Sequence, residues 1–233
     1  MNTVTYAKVI WQDFVSLLFP TVCINCQEIL VKNEPYLCLD CRTSLPTTNF
    51  HLQNPNPFLR EFTYLQTVCF ASAYLHFNRR GIAQKLLHQL KYHAAYDLGR
   101  MLGQWYGLHV KPFVLDFDVL VPIPLHPSKK KMRGYNQSMA LAEGISIATG
   151  IPVREDILIR TKKTKTQTKK AKLDRWKNME GVFRVPATID ITGKRILVVD
   201  DVVTTGSTIS SACLELEERG ACALGILAIA TGK

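Results

Sequence analysis

Apolar positions in this chain follow two rhythms, short unbroken runs and stripes of helical period, and the two alternate along its length. Residues 196–199 (Ile-Leu-Val-Val) form an unbroken run, the mark of a strand buried on both faces. Residues 208–219 follow with Ile209, Ala212, Cys213 and Leu216 on one helical face. The same alternation predicts strands over 69–77, 119–123, 153–160 and 223–230. It predicts helices over 79–92 (Ile82, Leu86, Leu87, Leu90), 96–108 (Leu98, Met101, Leu102, Trp105) and 136–149, the last stopped by Gly150. Strands separated by helices imply an α/β fold with a mainly parallel sheet covered on both faces.

The N-terminal part reads differently. Val9, Ile10, Phe14, Val15, Leu17 and Leu18 suggest a short amphipathic helix packed on the protein, with a membrane-surface role as the alternative. Neither a signal peptide nor an apolar run long enough to span a membrane is expected. Pro46, Asn54, Pro55, Asn56 and Pro57 make residues 42–66 read as a loose connector. The expected organisation is a small module over 1–45, a connector over 46–66 and an α/β domain over 67–233. A chain of 233 residues suffices for one substantial core plus such a module. The net charge of +10 favours polyanionic partners without proving one.

The chemistry concentrates after the 196–199 strand. Asp200 and Asp201 close it, and Val202, Val203, Thr204, Thr205, Gly206, Ser207 and Thr208 lead into the next helix. Such a turn is an anion site, because backbone N–H groups converge there and the helix dipole favours negative charge. Gly206 lets the backbone approach an anion, and the hydroxyls add donors. The carboxylates suit vicinal hydroxyls, or a Mg²⁺ that bridges hydroxyls to a second phosphate. A phosphorylated sugar fits both halves of the loop. The bland alternative is a buried strand with a capped helix behind it.

Cys23-x-x-Cys26 and Cys38-x-x-Cys41, eleven residues apart, can offer four thiolates to one structural, tetrahedral Zn²⁺. Two disulfides or four idle thiols are the alternatives; nothing in the chain signals an oxidising compartment. Cys69, Cys213 and Cys222 read as core residues.

Two basic loops flank the acid pair in the chain. Residues 124–138 carry Lys129, Lys130, Lys131 and Arg133 after the 119–123 strand, at the sheet edge expected to hold Asp200. Lys129 and Arg133 could neutralise pyrophosphate, while Lys130 and Lys131 could meet a nucleic-acid backbone; a solvated basic turn is the alternative. His126, between prolines, reads as structural. Residues 160–177 hold nine Lys or Arg among eighteen residues. They could close over pyrophosphate or track a nucleic-acid backbone through Lys169, Lys170 and Lys172, with Trp176 and Tyr135 as stacking platforms. A solubilising loop is again the alternative.

The stretch from Ile196 to Thr208 resembles the phosphoribosyl pyrophosphate (PRPP) motif of type I phosphoribosyltransferases: four apolar residues, two acids, three residues, Thr-Gly, one residue, Thr. The whole chain resembles the ComF family of competence-associated proteins. Phe19-Pro20 leads into the cysteine pairs; Leu90-Lys91-Tyr92, Val121-Pro122-Ile123-Pro124-Leu125-His126 and Arg133-Gly134-Tyr135-Asn136-Gln137 follow. Gln167-Thr168, Leu173, Arg175, Asn178 and Gly181-Val182-Phe183 complete the series.

That resemblance implies a zinc finger before a phosphoribosyltransferase-like domain, with PRPP and Mg²⁺ held at residues 200–208. It implies catalytic roles for Asp200 and Asp201 if the protein is an enzyme, and pyrophosphate or flexible-loop roles for Lys91, Lys129, Arg133, Gln167 and Arg175. It further implies cytoplasmic handling of incoming single-stranded DNA, with DNA-processing proteins as partners. An active phosphoribosyltransferase with an unknown acceptor, and a PRPP-responsive regulator without DNA contact, stand as alternatives.

Overall fold

The computed structural model describes residues 19–92, 95–161 and 181–232. The predicted N-terminal helix and the 160–177 loop beyond Thr161 lie outside the described residues. The cysteine-rich module ends in the short helix α1 (Leu39–Thr43). Two 3₁₀ turns, Phe50–Leu52 and Leu59–Phe62, lead to β1 (Val68–His76), α2 (Ile82–Tyr92), α3 (Tyr96–Val114) and β2 (Val119–Pro122). Helices α4 (Pro127–Arg133) and α5 (Gln137–Thr149) come next. A two-stranded hairpin, β3 (Ile159–Arg160) with β4 (Phe183–Arg184), precedes β5 (Arg195–Val203), α6 (Ser207–Glu218) and β6 (Ala223–Thr231).

The main sheet has the order β1-β6-β5-β2, and every pairing in it is parallel. Strands β5 and β6 are central, hydrogen-bonded on both sides. Side chains of a strand point alternately to opposite faces, and β5 shows the consequence. Leu197 and Val199 join one core, with Leu86, Leu90, Leu102 and Leu141 of the helices α2, α3 and α5. Ile196 and Val198 join the other, with Phe58 and Phe62 of the 3₁₀ region and Ile209 and Leu216 of α6. Both faces of the sheet are therefore covered, as the unbroken apolar run implies.

Several elements differ from expectation. Strand β5 does not stop at Val199; it continues through both acids to Val203. The reason is pairing: Asp200, Val202 and Val203 lie in register with Ala228, Ala230 and Thr231 of β6. The 153–160 strand reduces to a bridge between Val153 and Leu120, plus the two residues of β3. The 124–138 loop contains the helix α4, capped by His126, whose Nδ1 accepts from the Ser128 N–H; it ends at Gly134 in the left-handed region. His126 is thus a structural residue. Helix α3 runs six residues past the predicted end, to Val114.

The 42–66 segment is not loose. Phe50, Phe58, Phe62 and Leu65 are buried in the second core. Asn56 holds the segment down: its Nδ2 donates to the Ala71 carbonyl of β1 (2.8 Å), and its Oδ1 accepts from the N–H groups of Phe58 and Leu59. Cys213 is buried as expected, whereas Cys69 and Cys222 are exposed rather than core residues.

Helices α3 and α5 cross at unusually close range because small residues face each other. Gly99, Gly103 and Gly107 of α3 meet Ala140, Gly144 and Ala148 of α5. A Cβ added at Gly144 would collide with the Arg100 carbonyl oxygen and the Gln104 nitrogen, both backbone atoms that cannot swing aside. Gly144→Ala should therefore destabilise the protein by about 1–3 kcal/mol through overpacking, despite the better helix propensity of alanine. The expected drop in thermal midpoint is about 2–10 °C. A midpoint equal to or above that of the parent would contradict the close crossing.

Candidate functional site

The acid pair lies at the carboxyl end of β5, where ligands bind in open parallel sheets. Asp200 is buried; its Oδ1 accepts from Ser138 Oγ at 3.1 Å and from the Asp201 N–H at 2.9 Å. Burial lifts its pKa, and the Asp201 charge adds to the rise. Asp201 is more open and pairs with Lys91 Nζ at 3.4 Å. Lys91 sits at the end of α2, and two neighbours fix that end. Tyr135 OH donates to the Leu90 carbonyl at 2.7 Å, and Gln137 Nε2 donates to the same oxygen at 3.3 Å. The Arg-Gly-Tyr-Asn-Gln segment therefore positions Lys91 against the acid pair.

Helix α4 sorts its cations by face. Lys129 and Arg133, one turn apart, are half-buried, while Lys130 and Lys131 are exposed. Arg133 Nη1 donates to Gln137 Oε1 at 2.8 Å, and its buried Nε finds no partner among the described residues. Burial pushes the Lys129 pKa down; Arg133, Arg160 and Lys91 push the same way, against the pull of Asp201. Burial beside the Phe183 ring (5.3 Å) pushes the Arg160 pKa down, against the pull of Asp200. Lys91, Lys129 and Arg160 thus each interact with one of the two carboxylates, with Arg133 beside Lys129, and this surplus of positive charge suits an anion.

Beyond β5 the chain turns through Thr204 and Thr205, both exposed, to Gly206. Gly206 has φ +75°, in the left-handed region, and a Cβ there would press on the Phe62 ring at 3.1 Å. Both constraints require glycine. Helix α6 starts at Ser207, and Thr205 and Ser207 hydroxyls lie 3.0 Å apart. The N–H groups of its first turn lack acceptors within the helix, and the Thr204, Thr205, Ser207 and Thr208 hydroxyls lie beside them in the chain.

The four cysteines come together at a second place. The sulfurs of Cys23, Cys26, Cys38 and Cys41 all lie within 4.8 Å of one another, with Cys26 and Cys38 at 3.6 Å. Tetrahedral thiolate coordination at about 2.3 Å separates sulfurs by about 3.8 Å, so the cluster can hold one metal ion. Burial opposes the Cys23 thiolate, but the N–H groups of Cys26, Cys38 and Asn25 outweigh it and bring its pKa to about 6. The Cys41 N–H favours a Cys38 thiolate, yet burial and the neighbouring thiols push that pKa up to about 12. Four thiolates cannot share this volume without a cation. Lys85 of α2 fastens the first knuckle, donating to Asn25 O (2.8 Å) and Oδ1 (3.1 Å), and Arg42 lies 4.3 Å over the Trp105 ring.

Of the residues singled out from the sequence, Lys91, Lys129, Arg133, Asp200 and Asp201 converge, and the 202–208 loop adjoins them. Lys130 and Lys131 face solvent on α4. Gln167, Lys169, Lys170, Lys172, Arg175 and Trp176 lie outside the described residues. Arg160, Ser138, Phe62 and Tyr64 escape the sequence reading as site residues. Ser138 had a local signal, two residues past the Asn136 helix cap. Tyr64 had none, since its partner Ser210 is 146 residues away.

A parallel sheet with an acid pair and a glycine turn at its carboxyl edge defines a domain of the phosphoribosyltransferase class. Residues 134–233 match the phosphoribosyl transferase domain. Over most of its length the chain is similar to the DNA utilization protein YhgH of Escherichia coli, with 29% identity over 216 residues and 88% of each chain covered. It is 28% identical over 204 residues to the competence protein ComFC of Bacillus subtilis, covering 82% of each. It is 33% identical over 104 residues to competence protein F of Haemophilus influenzae, covering 44% of this chain and 45% of that one. Together these similarities support a protein of the ComF type.

The raised pKa of Asp200 sets a pH dependence. Its native value of about 7 exceeds the ordinary 3.8, so the native state holds a proton that the unfolded chain releases. Stability from this group is present at low pH and is lost as pH rises from about 4 to 7. Asp200→Asn should therefore stabilise the unliganded protein at pH 7.5, with the gain shrinking toward pH 4. Urea midpoints of the two proteins at both pH values measure this, and a gain that grew on acidification would contradict the burial of Asp200.

Proposed function

We propose that this protein binds PRPP at the β5–α6 turn and acts as an accessory factor in DNA uptake, handling incoming single-stranded DNA in the cytoplasm. The observation that carries the ligand is the joining of two opposed chemistries within nine residues. Carboxylates at Asp200 and Asp201 face ribose hydroxyls, and the turn at Thr204–Thr208 offers donors to the 5′-phosphate. Lys91, Lys129, Arg133 and Arg160 supply charge for the pyrophosphate. The acid pair offers hard oxygen donors, so a Mg²⁺ entering with PRPP would be held near Asp200 and Asp201 and would screen the pyrophosphate charge. The cysteine cluster is read as a structural zinc site, because four thiolates leave no open position for chemistry.

The DNA reading is supported by the names of the relatives, which speak of DNA utilization and competence. It is supported as well by the net charge of +10 and by the outward face of α4. Among the described residues no helix is long and apolar enough to cross a membrane. A second reading is favoured by the four converging cations, which suit a departing pyrophosphate. In that reading the bond from the ribose anomeric carbon to pyrophosphate oxygen breaks, pyrophosphate leaves with the electron pair, and an acceptor nucleophile bonds to that carbon.

Calorimetry with PRPP and Mg²⁺ tests the ligand. Replacing Asp200 and Asp201 together by Ala should weaken binding at least about tenfold, 1.4 kcal/mol, and Thr205→Asp should abolish it by setting a carboxylate against the phosphate. Unchanged affinity in both would refute the site. Pyrophosphate release with time would identify an enzyme.

Fluorescence anisotropy with a labelled single strand tests the partner. If about four cations contact phosphates, log affinity should fall with log salt at a slope near −3. Charge reversal at Lys130 and Lys131, or at Lys169, Lys170 and Lys172, should weaken all sequences alike. No binding at micromolar protein and low salt would remove the DNA reading.

A further inference from the structure

The segment that the sequence presents as a connector reaches the anion turn through a short hydrogen-bond relay. Ser210 Oγ lies 2.8 Å from the Gly206 carbonyl oxygen and donates to it. A serine hydroxyl has one proton, so its 2.6 Å contact with Tyr64 OH is made with serine as acceptor and tyrosine as donor. The relay runs from Tyr64 O–H to Ser210 O–H to the Gly206 carbonyl. Each bond polarises the next. The Gly206 oxygen also receives the Ser210 backbone N–H at 2.9 Å, so this carbonyl is held by two donors of one residue.

What the relay fixes is a peptide plane. In a trans peptide the carbonyl and the following N–H point in opposite directions. Holding the Gly206 carbonyl back along α6 therefore turns the Ser207 N–H outward. That N–H has no acceptor within the helix, being in its first turn. Gly206 by itself is the freest residue in the loop, with a left-handed φ and no side chain. The Ser210 N–H restrains its plane once, and the relay adds a second restraint on the same oxygen. Phe62 closes the other side, its ring 3.1 Å from where a Cβ on Gly206 would lie.

We infer that Tyr64 is a positioning residue for the phosphate-binding amide of Ser207, and that the 56–65 segment is thereby part of the anion site. This rests on the PRPP reading above. The segment is suited to the task because Asn56 anchors it to β1 at one end while Tyr64 reaches α6 at the other. Tyr64 remains about half exposed (47%) and stands outside the buried core clusters.

Three ligands separate the possibilities: PRPP, ribose 5-phosphate and inorganic pyrophosphate, each titrated by calorimetry with Mg²⁺. Tyr64→Phe keeps the ring and removes the first donor. It should weaken PRPP and ribose 5-phosphate by a similar factor, about three- to tenfold for one neutral hydrogen bond. Pyrophosphate affinity should be unchanged, because that anion meets Lys91, Lys129, Arg133 and Arg160 instead. Ser210→Ala breaks the relay at its middle and should show the same selectivity. The double variant should be no worse than Ser210→Ala alone, since both act through one bond. Equal affinity for ribose 5-phosphate in Tyr64→Phe and the parent overturns the proposal, as does an equal loss for all three ligands. A parent protein that binds neither PRPP nor ribose 5-phosphate overturns the PRPP reading, and the proposal falls with it.

Discussion

Strand β5 is hydrogen-bonded to β2 on one side and β6 on the other, and apolar side chains cover both its faces. It cannot shift without breaking two ladders at once. Because the pairing with β6 extends to Val203, the strand carries Asp200 and Asp201 with it, and the acids inherit the rigidity of the sheet. The cost is a buried carboxylate. The Ser138 hydroxyl, the Asp201 N–H and the Lys91 charge offset this burial in part, and the Asp200 pKa still rises. Local destabilisation of this kind is common where a site must hold charge ready for a ligand.

The cations reach the acids by indirect routes. Lys91 is placed by the end of α2, which Tyr135 and Gln137 grip through the Leu90 carbonyl. Lys129 and Arg133 are placed by α4, itself set by the His126 cap and the Gly134 stop. Helix α5 begins at the Asn136 cap, whose Nδ2 also donates to Ile123 O just past β2. The glycine-lined crossing with α3 then fixes the distance of α5 from the rest of the layer. One short stretch, from Pro127 to Ser138, thus supplies two cations, two grips on α2 and a hydroxyl for Asp200. A change anywhere in it propagates to the site.

The cysteine module joins the same core. Cys23, Leu37, Cys41 and Leu45 pack in the cluster that holds Leu86 and Leu102, and Lys85 ties the first knuckle to α2. Helix α2 therefore touches the knuckle near its middle and the acid pair at its end. The residues after the module, from Asn49 onward, cross to the other face of the sheet and finish against the anion turn. The N-terminal third serves as support for both ends of the site rather than as an appendage.

Periodicity along the chain was enough to identify the central strands and the helices that follow them, and Cys-x-x-Cys spacing the cysteine quartet, because each is encoded by neighbouring residues. An unbroken Ile-Leu-Val-Val run can be buried only between two layers, and a glycine before a helix start has one steric use. The family resemblance added Lys91 and the order of the parts. The extension of β5 through two acids escaped local reading, since it depends on a ladder with β6, some thirty residues later. The packing of 46–66 escaped as well: its prolines and asparagines are turn formers in isolation, and only the sheet face opposite α2, α3 and α5 gives Phe58 and Phe62 something to cover. Arg160 and Tyr64 meet Asp200 and Ser210, partners forty and 146 residues away. Contacts of that kind leave no trace in spacing. They exist because the folded chain brings distant surfaces together, and the physics that selects them is the burial and hydrogen bonding of the whole.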